Sequence, residues 1–138
     1  GGLRILGSDV NTEVLESAVT GCYAEKLLSP IPVAFSKRYF FSESKEINSH
    51  HQIKTEIQRL IQFRQFNLMS AEYPIATKFQ LIFCRNVLYY LQPERREFLI
   101  RKLVDHLEEG GWLVLGITES GYKIDKMKKH SISIYQKI

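Results

Sequence analysis

The 138-residue chain is short of several things, and each shortage closes off a class of protein. It has two cysteines, Cys22 and Cys84, neither in a CxxC pair, and no His/Cys cluster has zinc spacing. No metal is expected, and both thiols read as reduced cysteines of a cytoplasmic protein. The pair His50-His51 sits in a polar stretch and reads as plain surface histidines. No apolar run approaches the ~20 residues of a membrane helix, so no membrane insertion is expected. The first residues lack the basic-then-apolar pattern of a secretory signal. A large charge excess is missing too. With 19 basic and 15 acidic residues the net charge is +4, which favours acidic partners but is too mild to indicate nucleic acid. There is no internal repeat and no low-complexity tract.

What is present is ordinary for a globular domain: 44% hydrophobic and 25% charged residues. The length suffices for one domain with a real core, so residues 1–138 are expected to form a single domain. Leu3 to Leu6 reads as a strand entering a loop at Gly7-Ser8-Asp9. Asn11 is placed to cap a helix over Thr12 to Thr20, with Val14, Leu15, Ala18 and Val19 on its apolar face and Gly21 at its end. Residues 22 to 35 read as irregular, since Pro30 and Pro32 exclude a long helix. A polar segment follows, Ser42 to His51. The pattern from Gln52 to Phe63 fits either a helix or a strand, and the favoured reading is a small antiparallel excursion returning to a strand near Ile61 to Gln65.

Lys78 to Cys84 is nearly continuous apolar sequence, as in a strand buried on both faces of an α/β sheet. Pro93 suits the first turn of a helix whose core side is Phe98, Leu99, Leu103, Val104 and Leu107, ended by Gly110-Gly111. Trp112 to Gly116 and Ser131 to Ile138 read as two more strands. Strands alternating with helices imply an α/β fold with an open, largely parallel sheet. Lys123, Lys126, Lys128 and Lys129 read as a solvated loop face, with an anion or acidic-partner role as the alternative.

Open α/β sheets bind ligands beyond the carboxyl ends of their strands. Three strand ends carry polar groups: Asp9, Asn67, and Cys84-Arg85-Asn86. A carboxylate such as Asp9 either accepts hydrogen bonds from both hydroxyls of a ribose or helps cap the following helix. Arg85-Asn86 at a strand mouth is costly unless partnered, by a ligand or by a structural salt bridge. Tyr89-Tyr90 reads as a core pair or as a phenol facing a cleft.

The run Phe79-Gln80-Leu81-Ile82-Phe83-Cys84-Arg85-Asn86-Val87-Leu88-Tyr89-Tyr90-Leu91 resembles the hallmark of the CheR methyltransferase family, which reads much like FDLIFCRNVLIYF. Four further pieces agree in order: Ser8-Asp9-Val10-Asn11 with Val14-Leu15, Ala18, Gly21 and Tyr23; Lys37-Arg38-Tyr39-Phe40; Gln62-Phe63-Arg64 with Asn67-Leu68; and Gly110-Gly111-Trp112-Leu113 with Leu115-Gly116 and Glu119-Ser120. The resemblance implies a partial Rossmann-like methyltransferase sheet, mostly parallel, with a C-terminal antiparallel strand and a small β-subdomain within about residues 40–62. It implies S-adenosylmethionine as cofactor, S-adenosylhomocysteine as product, and methylation of glutamates on chemotaxis receptors. By the same resemblance, Asp9 would hold the cofactor's ribose. Asn67 and Leu68 would lie against the adenine or its ribose, and Cys84 and Arg85 would line the methionine side or the transfer cleft. Tyr90 would stand near the transferred methyl, so Arg85 and Tyr90 are the candidate catalytic pair.

Two departures qualify this expectation. Phe41-Ser42 stands where members often carry an arginine after the Tyr-Phe pair. Family members also have a helical domain, a first strand and a loop like GCSTGEE ahead of the strand bearing Asp9, whereas here Gly1-Gly2 precede that strand. In such sheets the first strand lies between those ending at Asp9 and Cys84, so its absence would leave two half-sheets with unpaired inner edges. The chain is therefore expected to belong to a longer protein, or to close the gap by rearrangement or self-association. The competing readings are a catalytically inactive, truncated homologue that binds a partner, a nucleic-acid methyltransferase, and an unrelated nucleotide binder. The second lacks its usual [DNS]PP[YF] motif here, where Arg85-Asn86-Val87-Leu88 stands instead.

Overall fold

The computed structural model describes residues 2–42, 50–119 and 121–138. Most of the polar segment Ser42 to His51, and Ser120, lie outside the described residues. The chain divides into two compact units, Gly1–Asn67 and Leu68–Ile138. It is a mixed α/β fold of open sheets with both parallel and antiparallel strands, in keeping with a partial Rossmann-like domain. Among the described residues no helix is long and apolar enough to cross a membrane.

In the first unit β1 (Ile5–Asp9) is followed by α1 (Thr12–Thr20), β2 (Cys22–Ala24), α2 (Val33–Tyr39), β3 (Phe40–Ser42), β4 (His50–Ile53), α3 (Thr55–Gln58) and β5 (Ile61–Gln65). β1 and β5 pair in parallel from Ile5↔Ile61 to Asp9↔Gln65, so both carboxyl ends lie at one edge. The other strands form an antiparallel sheet of order β2-β4-β3. The stretch 22–35 is thus more regular than its prolines suggested. Pro32 only excludes helix before it, and α2 starts at the next residue.

Asn11 caps α1 as its sequence position foretells: its Oδ1 accepts from Glu13 N at 2.9 Å and Val14 N at 3.3 Å. The last carbonyls of α1 are taken from outside the helix. Gln52 Nε2 donates to Thr20 O at 2.8 Å and Gln58 Nε2 to Val19 O at 3.4 Å, which ties the small sheet to the helix end. Gly21 closes α1 at φ 66°, and a Cβ there would lie 2.5 Å from Ile53 Cγ2. Both the left-handed backbone and the contact oppose any side chain. Gly21→Ala is expected to destabilise the chain by about 2 kcal/mol, read as a lower urea midpoint by far-UV circular dichroism; an unchanged midpoint would refute this account of the corner.

His51 corrects the expectation of surface histidines. It lies on the central strand β4, its side chain is only 15% exposed, and its Nε2 is 4.0 Å from Glu25 Oε1 with no hydrogen-bond partner among the described residues. β4 pairs with β2 on one side and β3 on the other, a central place that two adjacent polar residues do not signal in sequence.

The second unit holds β6 (Phe79–Cys84), α4 (Pro93–Asp105), β7 (Leu107–Leu115), β8 (Met127–Ser131) and β9 (Ile134–Lys137). Their order is β6-β7-β9-β8, with β6 and β7 parallel and the β7-β9 and β9-β8 pairs antiparallel. α4 buries Leu99, Ile100, Leu103 and Val104 in a cluster with Cys84, Leu88, Leu107, Leu113, Leu115 and Tyr135. Leu107 belongs to β7 and not to the helix. Its apolar spacing suits the helix face, but Phe79 N bonds His106 O at 2.8 Å and captures the next residue for the ladder. The register then jumps from Phe79↔Leu107 to Leu81↔Trp112, with Gly110 at φ 79° in the intervening bulge. The final strand proves to be a hairpin, β8 and β9.

The edges of these sheets differ in kind. β8 carries Lys128, Lys129 and His130, all exposed, and β5 carries Arg64. Charges on edge strands discourage further pairing, which gives two of the four lysines singled out in sequence a structural role. β6 has no charged residue, and it exposes Leu81 and Phe83. Among the described residues β1 pairs only with β5, and β6 only with β7.

Candidate functional site

In the first unit Asp9 ends β1, and Asn67 stands two residues beyond Gln65, the partner of Asp9 in register. The parallel pairing therefore brings Asp9 and Asn67 to the same end of one sheet. Asp9 Oδ1 accepts from Asn11 N at 2.9 Å, and Asn11 alone caps α1 through its side chain. Asp9 braces the loop with one oxygen. The other accepts nothing among the described residues, and the residue is exposed. Gln65 Nε2 donates to Val10 O at 3.0 Å and steadies the same loop from β5.

In the second unit Cys84 ends β6, buried in the core beneath α4. The chain then turns sharply, because Asn86 adopts φ 62°, a conformation asparagine tolerates better than most residues. Arg85 is left exposed at the strand mouth and makes no hydrogen bond or ion pair with the described residues. A short 3-10 turn, Leu88–Tyr90, follows. Leu88 is fully buried and anchors it, while Tyr89 and Tyr90 project outward, 67% and 80% exposed, with ring centroids 5.3 Å apart. The reading of these tyrosines as a core pair is thus overturned: Leu88 supplies the packing, and both rings are exposed. Arg96 Nε holds the end of this turn by donating to Leu91 O at 2.7 Å. Beside it stands the turn Ile117–Glu119 that follows β7, so the carboxyl ends of β6 and β7 carry adjacent turns.

Leu68 opens the second unit and packs against the core cluster that contains Cys84. Sequence reasoning assigned nothing to Tyr73, whose hydroxyl donates to Leu68 O at 2.6 Å. Its ring stacks on His106, with centroids 4.8 Å apart. Burial, and secondarily the Cys84 thiol, push its phenol up to about 12 from 10.0. The hydroxyl therefore stays protonated through the physiological range. The stability it lends is complete below pH 10 and is lost as pH rises through 12. A lone tyrosine in a loop carries no motif, so only coordinates reveal this clip.

The six candidate residues accordingly fall into two groups: Asp9 and Asn67 in the first unit, and Leu68, Cys84, Arg85 and Tyr90 in the second.

Residues 1–136 match the family described as "CheR methyltransferase, SAM binding domain". The chain is 34% identical over 118 residues to a chemotaxis protein methyltransferase of Vibrio parahaemolyticus, covering 86% of this chain and 42% of that protein. Over 118 residues it is 31% identical to chemotaxis protein methyltransferase 2 of Pseudomonas aeruginosa, with the same two coverages. It is also 30% identical over 126 residues to a chemotaxis protein methyltransferase of Klebsiella aerogenes, covering 91% of this chain and 43% of that one. The chain thus spans less than half the length of these curated relatives. With a family match over nearly every residue, the chain belongs to the CheR methyltransferase family, as its S-adenosylmethionine-binding domain.

Proposed function

We propose that this chain forms the cofactor-binding and catalytic part of a cytoplasmic enzyme that methylates glutamate side chains on chemotaxis receptors. The observation that carries this reading is Arg85: an exposed guanidinium at a strand mouth with no hydrogen bond or ion pair among the described residues, followed in the next turn by exposed Tyr89 and Tyr90. A planar cation suits bidentate pairing with a carboxylate. The surrounding residues fit the cofactor as well. The open oxygen of Asp9 suits ribose hydroxyls, and Leu68 suits the apolar face of a base.

When bound, S-adenosylmethionine would supply a sulfonium methyl to the incoming carboxylate oxygen, with S-adenosylhomocysteine as the leaving product. A glutamate has an ordinary pKa near ~4.3 and arrives ionised, so the chain need supply no general base. Its task is alignment and charge control. Asp9 and Asn67 hold the nucleoside end, Cys84 lines the methionine side, Arg85 orients the carboxylate, and Tyr90 hydrogen-bonds near the transferred methyl. The edge of β6, which carries no charged residue, supports a further element of the reading: a strand from elsewhere in the protein pairs with it. Pairing with a second copy is the alternative. Sedimentation over a concentration series separates the two, since only self-association makes the mass depend on concentration.

Calorimetry with S-adenosylhomocysteine tests the cofactor reading. The full chain is expected to bind, and Asp9→Ala to weaken binding about tenfold through loss of a charge-assisted hydrogen bond. A full chain that binds no S-adenosylhomocysteine would instead favour an inactive, partner-binding homologue.

A further inference from the structure

We infer that Tyr73 is a positioning residue that makes the Leu68 peptide a donor-only reader of the cofactor's base. The inference rests on the proposed placement of Leu68 against adenine and assigns that placement a cause.

A peptide group carries one donor and one acceptor, and a base edge can meet either. At Leu68 the choice is removed. The carbonyl is occupied by the Tyr73 hydroxyl at 2.6 Å. The N–H has no hydrogen-bond partner among the described residues, and the residue is half-buried. What remains is one oriented donor. It suits N1 of adenine, an acceptor, and opposes hypoxanthine, which bears a proton at N1.

The clip is itself held from two sides. The Tyr73 ring lies on His106 at 4.8 Å, and His106 Nδ1 is 2.8 Å from Lys102 O. Lys102 Nζ sits 5.7 Å over the Tyr73 ring and donates to Ala71 O, within the same loop. The loop 68–73 is thereby closed on itself by the Tyr73–Leu68 hydrogen bond and tied to the end of α4 by Lys102 and the His106 ring. Without the phenol oxygen the half-buried Leu68 carbonyl is an acceptor in search of a donor, and the peptide is free to rotate.

The test compares binding of S-adenosylhomocysteine and S-inosylhomocysteine to the full chain by calorimetry. The wild type is expected to prefer the adenine compound by about 10- to 100-fold, as sites with a fixed polar group do. Tyr73→Phe keeps the ring stack and removes one oxygen. It is expected to bring the two affinities within about threefold of each other. A merely structural role would weaken both ligands equally and leave the ratio intact, and that result overturns the inference. A wild type that binds neither compound overturns the cofactor reading, and this one with it. A wild type that binds, paired with a variant of unchanged preference, overturns this one alone. Should Tyr73→Phe fail to fold, Lys102→Met, which releases Ala71 O, is expected to reduce the same ratio, and a ratio equal to the wild type's overturns the inference.

Discussion

Arg85→Ala is expected to lower methyl transfer by the full-length enzyme about 10²- to 10³-fold while leaving its melting temperature within a degree or so of the wild type. The magnitude is that of removing one fixed group aimed at charge changing in the transition state. The indifference of stability follows from exposure: Arg85 makes no hydrogen bond or ion pair with the described residues, and surface substitutions of this kind rarely shift stability by more than about 0.5 kcal/mol. Arg85→Lys separates charge from shape. An ammonium keeps the charge but loses the two-pronged geometry, so only partial rescue is expected. Methyl incorporation measured beside a thermal melt checks both halves. Undiminished turnover in Arg85→Ala would remove Arg85 from the chemistry, and a collapsed melt would make it a structural group.

The second large effect is structural. Lys137 is a lysine with 9% of its side chain exposed, at the end of β9. Its Nζ donates to Val104 O at 3.1 Å and Leu107 O at 3.0 Å, and stands 3.5 Å from Glu109 Oε1. It thereby satisfies carbonyls where α4 gives way to β7. Lys137→Met preserves the stem and removes the donors. Two carbonyls then lose their partner in a site too tight for easy hydration, at a cost of about 2–4 kcal/mol. The urea midpoint, followed by the fluorescence of Trp112 on the neighbouring β7, is expected to fall accordingly. A midpoint that does not move would mean that water replaces the ammonium there.

How much of this was legible beforehand depends on whether the signal is local. The cap at Asn11, the closure at Gly21, proline at the start of α4 and the strand Phe79–Cys84 are written in neighbouring residues, and the structure has them where the pattern puts them. The exchange of Leu107 from helix to strand was not legible, because a leucine satisfies both periodicities and a distant ladder decides between them. The same holds for His51 and Lys137, polar residues whose burial is imposed by strands far off in sequence. Of the site, the strand-end positions of Asp9, Cys84 and Arg85 follow from local pattern. The exposure of Tyr90 does not, since it depends on Leu88 taking the buried place beside it. Tyr73 lies beyond sequence reasoning, because its meaning resides in one carbonyl five residues away.

The central claim is that the candidate strand-end residues bind the cofactor. Amide-resolved nuclear magnetic resonance of the full chain, titrated with S-adenosylhomocysteine, addresses it most directly. The account predicts shifts at Asp9 and Asn67 in the first unit and at Leu68, Cys84 and Arg85 in the second. Shifts elsewhere in the chain with none at these residues would contradict it.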